Sequence, residues 1–126
     1  MSTPDRAAIE KVIQTYFDGL YEGDADKLGS IFLPTSALAS IGPDGKLQVV
    51  PRDQWLDMVR SRPSPKKSGL ARDDGILHFD QPGPTMAFVK VKCQIPPRYF
   101  VDQLSLLKVD GKWQVAQKVF QAEVRN

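Results

Sequence analysis

The first hydrophobic pattern along the chain is helical. Ala8, Ile9, Val12, Ile13, Tyr16, Phe17 and Leu20 recur at three- and four-residue spacing. That spacing lines one side of a helix over residues 4–21. Ser2 or Thr3 is placed to cap it, Pro4 suits its first turn, and Gly23 suits its stop. Asp24 can cap a second, short helix carrying Leu28, Ile31 and Phe32, ended by Pro34. Residues 35–41 and 46–50 read as two short strands joined by the Gly42-Pro43-Asp44-Gly45 turn. After Pro51, Arg52 or Asp53 opens a third helix offering Trp55, Leu56, Met58 and Val59 for packing. Asp53 is the better cap, because its carboxylate can accept backbone N–H bonds. Residues 62–68 hold proline, serine and lysine with no apolar anchor, and read as a mobile surface loop near a pocket mouth.

From residue 75 the period changes to two. Residues 75–80 form one strand, turned by Gln81-Pro82-Gly83-Pro84. Over residues 85–95, Val89, Val91, Cys93 and Ile95 alternate with Lys90, Lys92 and Gln94, the mark of a half-buried strand. Pro96-Pro97 breaks it. Residues 99–109 and 112–123 then pair across Asp110-Gly111, a preferred two-residue hairpin turn. Helices followed by hairpins predict an α+β architecture with the helices on one face of the sheet. No repeat or internal boundary divides residues 1–126, so one domain is expected.

Composition narrows the partners. A chain of 126 residues can bury a core without disulfide or metal. Seventeen basic and fifteen acidic residues are interleaved, whereas nucleic-acid binders concentrate positive charge on one face. The densest basic stretch, Arg60, Arg62, Lys66 and Lys67, reads as a solvated loop. One cysteine, Cys93, rules out an internal disulfide. No apolar run approaches the ~20 residues that cross a bilayer, and the first residues carry no apolar signal core. The expected setting is cytoplasmic, with neither nucleic acid nor membrane as partner.

Ile13-Gln14-Thr15-Tyr16-Phe17, the run Gly23-Asp24-Ala25-Asp26-Lys27-Leu28, and Phe32 resemble the opening of the nuclear transport factor 2-like superfamily. That superfamily includes steroid delta-isomerases, SnoaL-like cyclases and scytalone dehydratase. The tail Asp102-Gln103-Leu104-Ser105-Leu106-Leu107-Lys108-Val109-Asp110-Gly111-Lys112-Trp113-Gln114-Val115, with Lys118-Val119-Phe120, resembles its putative lumazine-binding branch. The resemblance implies a cone-shaped, cystatin-like roll: about three N-terminal helices on a curved, mainly antiparallel sheet. It also implies a homodimer through the outer sheet face and a pocket lined by the first helix. It does not assign an activity, because this fold hosts enzymes and binding modules alike.

Steroid delta-isomerases combine a carboxylate base with a tyrosine and a protonated carboxylic acid that together form an oxyanion hole. Matching this chain to that pattern puts Tyr16 on the tyrosine, Ser40 on the base and Ser105 on the acid. A serine hydroxyl is too weak a base to take a carbon-bound proton at neutral pH. The same matching turns Gln103, Ser105 and Leu107 toward the cavity on one strand. On the next strand it turns Gln114, Ala116, Lys118 and Phe120 inward. Trp55 on the third helix either caps the pocket with its indole or packs in the core.

An inner-face lysine such as Lys118 either anchors an anionic or carbonyl-bearing ligand or reaches past the rim to water. Asp102 falls on the other parity, among Phe100, Leu104 and Leu106, unless a one-residue bulge exchanges the faces. It is thus the weak candidate for a catalytic carboxylate. The lone His78 lacks companions for a metal site, and Cys93 lacks an activating base. The reading is a non-catalytic binder of a small apolar or carbonyl-bearing molecule, with no cofactor or metal. One alternative is an isomerase, cyclase or dehydratase using Asp102 and Tyr16. The other is a dimerisation or interaction module with a vestigial pocket.

Overall fold

The computed structural model describes residues 5–125. Helices α1 (Arg6–Glu22) and α2 (Ala25–Gly29) lead into strands β1 (Ala37–Ile41) and β2 (Leu47–Pro51) and helix α3 (Arg52–Ser61). Strands β3 (Gly75–Gly83), β4 (Met86–Ile95), β5 (Arg98–Val109) and β6 (Lys112–Val124) complete the chain. One six-stranded sheet runs β2-β1-β6-β5-β4-β3. Every neighbouring pair is antiparallel except β1 and β6, which run parallel. The helices pack on one face, α1 against β6 and α2, and α3 against β1, β2 and α2. This is the α+β cone with a cystatin-like roll.

The helical stripe appears as drawn from its spacing: Ile9, Ile13, Tyr16 and Phe17 are buried. The helix begins at Arg6, with Asp5 as an N-cap that makes no side-chain cap bond; Ser2 and Thr3 lie outside the described residues. Gly23 ends it at φ 65°, in the left-handed region that suits a residue without Cβ. Gly19 serves a different need, since a Cβ there would sit 2.8 Å from the Leu28 side chain, too close for α1 and α2 to pack. Asp24 caps α2 as expected, its carboxylate accepting from the Lys27 N–H at 3.0 Å. Asp53 does not cap α3. Pro51 holds that position, and Asp53 in the first turn instead pairs with Arg52 at 2.9 Å.

Hairpin chemistry is as read. Asp110 and Gly111 both adopt positive φ, 50° and 79°, matching the primed turn that suits twisted strands. Residues 62–68 are more tied down than their composition suggested. Pro65 is buried, the Lys66 N–H donates to the Tyr21 carbonyl at 3.0 Å, and the Ser64 hydroxyl accepts from the Lys67 N–H at 3.0 Å. The Pro65 ring supplies the apolar anchor that this segment was expected to lack.

Strand parity decides the interior. On β5, Asp102, Leu104 and Leu106 are buried while Val101, Gln103, Ser105 and Leu107 are exposed. The expected inward face of β5 was therefore the outward one. On β6, Ser105 pairs with Gln117 but Leu106 pairs with Val115, so Ala116 is an extra residue, a bulge. It lets Trp113 and Val115 on one side of it, and Lys118 and Phe120 on the other, share the concave face. Lys118 and Phe120 accordingly point in, whereas Gln114 and Ala116 leave the concave face.

Burial is graded along the cone. Around Ile9, Ile13, Ala87, Val89, Leu104, Leu106, Trp113 and Val115 the core is closed. Toward the other end Cys93, Phe100 and Phe120 are only half-buried. The convex face carries Met86, Val101, Leu107 and Val119, and Ile41, Leu47 and Val49 on the β1–β2 hairpin, all substantially exposed.

Candidate functional site

Where the closed core gives way to the half-buried end, three polar side chains meet. Asp102 arrives from β5 opposite Val91 on β4 and Phe120 on β6. Lys118 arrives from β6 beside Leu104 and Leu38, and Tyr16 descends from the third turn of α1. The Tyr16 hydroxyl donates to Asp102 Oδ2 at 2.5 Å. The Cys93 thiol donates to the same oxygen at 3.5 Å, and Lys118 Nζ stands 3.9 Å from it. Asp102 is 0% exposed and Lys118 6%. Two consecutive alternations set this up: hydrophobic partners at Leu104 and Leu106 fix the inward parity of Asp102, and the Ala116 bulge fixes that of Lys118.

The electrostatics keep the donors protonated. Burial first, and the Asp102 charge second, push the Tyr16 hydroxyl well above its ordinary value. The same two causes push the Cys93 thiol far up. Neither ionises near neutrality, so Tyr16 is a hydrogen-bond donor and Cys93 an unreactive thiol.

The ammonium of Lys118 sits among three rings, 5.2 Å from Tyr16, 5.1 Å from Trp55 and 4.9 Å from Phe120. Such faces attract a cation through the ring quadrupole. They accept none of its protons as a carbonyl would. Among the described residues Lys118 has no hydrogen-bond acceptor within normal reach, and its ion pair with Asp102 is long. Asp102 Oδ1 is buried without a donor. One buried acceptor and one buried donor thus remain open side by side, a costly arrangement unless something fills it.

The expected site residues divide accordingly. Tyr16, Trp55, Lys118 and Phe120 converge, and Asp102, the weak catalytic candidate, stands among them. Trp55 is buried against Phe32, with ring centroids 5.0 Å apart. Ser40 lies half-buried on the Leu38 side of β1. Gln103 and Ser105 lie on the convex face and are exposed, which removes them from the interior. The carboxyl beside the tyrosine is Asp102, three residues earlier on the same strand. Phe100 was missed as a lining residue. It shares the parity of Asp102 and packs 6.2 Å from Phe120. His78 is exposed beside Phe88 on the convex side. Among the described residues no three His, Cys, Asp or Glu side chains converge as metal ligands. No described helix is long and apolar enough to cross a membrane.

Two shallow clefts of about 380 and 520 Å³ lie outside the cone, along α2 and α3. Their charged linings are occupied with each other, Arg60 pairing with Asp26 and Asp57, and no buried polar atom opens into them.

A family model described as "putative lumazine-binding" matches residues 4–121. The chain belongs to that family. Its membership places it in the nuclear transport factor 2-like superfamily. A nuclear transport factor 2-like protein of unknown function from Shewanella baltica superposes with a TM-score of 0.85 at 25% identity, over 99% of this chain and 100% of the other. One of the same description from Methylobacillus flagellatus gives 0.85 at 25%, over 98% and 96%. A ketosteroid isomerase-like protein from Erwinia carotovora shares the fold, with a TM-score of 0.76 at 16% identity over 98% and 100%. Comparison with curated proteins gives no match.

Proposed function

We propose that this protein binds a small, mostly apolar molecule bearing a carbonyl or similar acceptor at the half-buried end of the cone, without transforming it. The carrying observation is the pair of open groups: the buried Lys118 ammonium lacking an acceptor and the buried Asp102 Oδ1 lacking a donor. A ligand carbonyl at Lys118 would meet the first need, and an N–H or O–H beside it the second. The rings of Trp55, Phe120 and Phe100 suit a flat body. A planar heterocycle with adjacent carbonyl and N–H groups has this chemistry, which agrees with the family's description.

Native mass spectrometry of the purified protein, followed by a thermal-shift screen of such heterocycles, tests the reading. Binders should stabilise the wild type and lose about tenfold or more in affinity in Lys118→Met, as expected when a buried hydrogen-bonding partner is removed. Binders whose affinity is indifferent to Lys118 and Tyr16 would overturn it.

One observation favours an enzymatic second reading, an isomerase, cyclase or dehydratase. Asp102 faces inward beside Tyr16 rather than outward. Against it, Oδ2 is engaged by Tyr16 and Cys93, and the base position of steroid delta-isomerases is Ser40. Exchange of a ligand's carbon-bound protons for deuterium, abolished in Asp102→Asn, would favour catalysis.

We also propose a homodimer through the convex face, where Met86, Val101, Leu107 and Val119 present apolar surface on adjacent strands. That face is self-complementary in character, apolar on both copies, as a two-fold interface requires. The third reading, an interaction module with a vestigial pocket, requires the convex face alone to carry function.

A further inference from the structure

Lys118 differs from the other paired lysines in what surrounds its nitrogen. Lys27, Lys92 and Lys108 reach carboxylates at 2.7, 3.2 and 3.0 Å in partly exposed positions. Lys118 stands 3.9 Å from Asp102 Oδ2, the longest ion pair among the described residues. Its nitrogen lies between the rings of Tyr16, Trp55 and Phe120. An ammonium carries three N–H donors. Ring faces balance its charge but accept no full hydrogen bond, and a buried donor left open is costly.

Enclosure also differs across the pair. Asp102 Oδ1 is fully enclosed. Lys118 Nζ has no hydrogen bond either, yet it is not among the fully enclosed atoms. The 7% exposure left to its side chain therefore reaches the nitrogen. The floor of the cone presents an amine to the half-buried end, with an enclosed carboxylate beside it.

We propose that Lys118 captures aldehydes covalently, as a reversible imine whose counter-ion is Asp102. The proposal rests on the binding reading above and makes the ligand's acceptor an aldehyde carbonyl. The ammonium first passes one proton to the Asp102 carboxylate. The freed lone pair attacks the carbonyl carbon, forming the N–C bond, and the π pair of the C=O bond moves to oxygen. That oxygen then gains two protons, one from the nitrogen and one back from Asp102. The C–O bond breaks and water leaves. What remains is an iminium beside an ionised Asp102, with nothing oxidised or reduced and the net charge unchanged.

The product suits the site better than the free lysine does. Ammonium and iminium carry the same charge, so the rings and Asp102 balance either. The iminium has one N–H in place of three, which a single carboxylate can take. Buried lysines serve carbonyl chemistry in this way. Hydrolysis reverses the step and returns the aldehyde unchanged. The surrounding aromatic side chains favour a flat substituent on the carbonyl carbon.

Benzaldehyde with sodium cyanoborohydride at pH 7 reduces any imine to a stable benzyl-lysine, and peptide mapping by mass spectrometry locates it. In the folded wild type Lys118 should carry at least about tenfold more label than any surface lysine, the scale on which a buried charged environment alters a lysine. In urea that preference should vanish. Lys118→Met should keep only the slow surface labelling, and a heterocycle that binds through Lys118 should protect it. Labelling of Lys118 at or below the level of the surface lysines overturns the imine, and this measurement needs no variant to fold. If Lys118 is spared while heterocycle affinity still depends on it, the covalent step fails and the binding reading stands. If it is spared and no heterocycle depends on it, both fail together.

Discussion

Replacing Tyr16 with phenylalanine isolates the hydrogen bond at the centre of the cone. The substitution deletes one oxygen and leaves the ring, whose centroid lies 6.0 Å from Phe17 and 5.9 Å from Phe32, so the cavity created is small. What is lost is a 2.5 Å bond from a buried hydroxyl to Asp102 Oδ2. The carboxylate keeps on that oxygen only a thiol at 3.5 Å and an ammonium at 3.9 Å. Hydrogen bonds to charged groups contribute about 1.5–3 kcal/mol, and burying an unsatisfied partner adds to the loss. A loss of about 2 kcal/mol is expected. With an unfolding entropy of about 2.1 cal/mol/K per residue, this lowers Tm by roughly 8 °C. Urea unfolding and calorimetry at pH 7, at one protein concentration, measure both quantities. A double-mutant cycle with Asp102→Ala, which removes the acceptor outright, should return a coupling of about 1.5–3 kcal/mol, because the two residues share one bond. A Tyr16→Phe protein within about 0.5 kcal/mol of wild type would refute the reasoning, since the bond would then contribute no more than an exposed contact.

Cys93 gives a pH signature. Its folded-state thiol pKa is raised above the ordinary 9.0, so the unfolded chain loses that proton first. Stability is intact below about pH 9 and falls above it, by at most about 1.4 kcal/mol per pH unit. Cys93→Ala should flatten the fall just above pH 9 in urea titrations, leaving the later loss that begins near pH 10 from Tyr16. For the same reason, iodoacetamide at pH 8 should modify the native thiol far more slowly than the unfolded one. Gly23→Ala combines a left-handed φ with a Cβ 2.8 Å from that of Ser64, and should cost about 1–3 kcal/mol by chemical denaturation. Val101→Glu, placed at the middle of the convex face, should shift the protein to monomer in analytical ultracentrifugation while preserving its circular dichroism.

The architecture was legible because it rests on local signals. The α1 stripe, the Asp24 cap, the alternation from Val89 to Ile95 and the Asp110-Gly111 turn each declare themselves within a few residues. The site was only partly legible because its composition depends on register. Period two says that Asp102 and Gln103 face opposite ways, but not which of them faces inward. The apolar neighbours Leu104 and Leu106 were the signal that could have decided it, and matching to distant enzymes overrode them. On β6 the bulge at Ala116 left no mark in the sequence, because an extra alanine costs a half-buried strand little and disturbs no obvious pattern.

The extra residue at Ala116 marks the one place where β6 can change length without changing what it presents. Val115 already lies opposite Leu106 and Gln117 opposite Ser105, so removing Ala116 would join two segments whose alternation agrees, and Lys118 and Phe120 would still face inward. Losing Val119 instead would turn Phe120 to the convex surface, because a one-residue slip exchanges the faces of everything beyond it. A single-residue deletion is thus silent or disruptive according to which side of the bulge register it falls on.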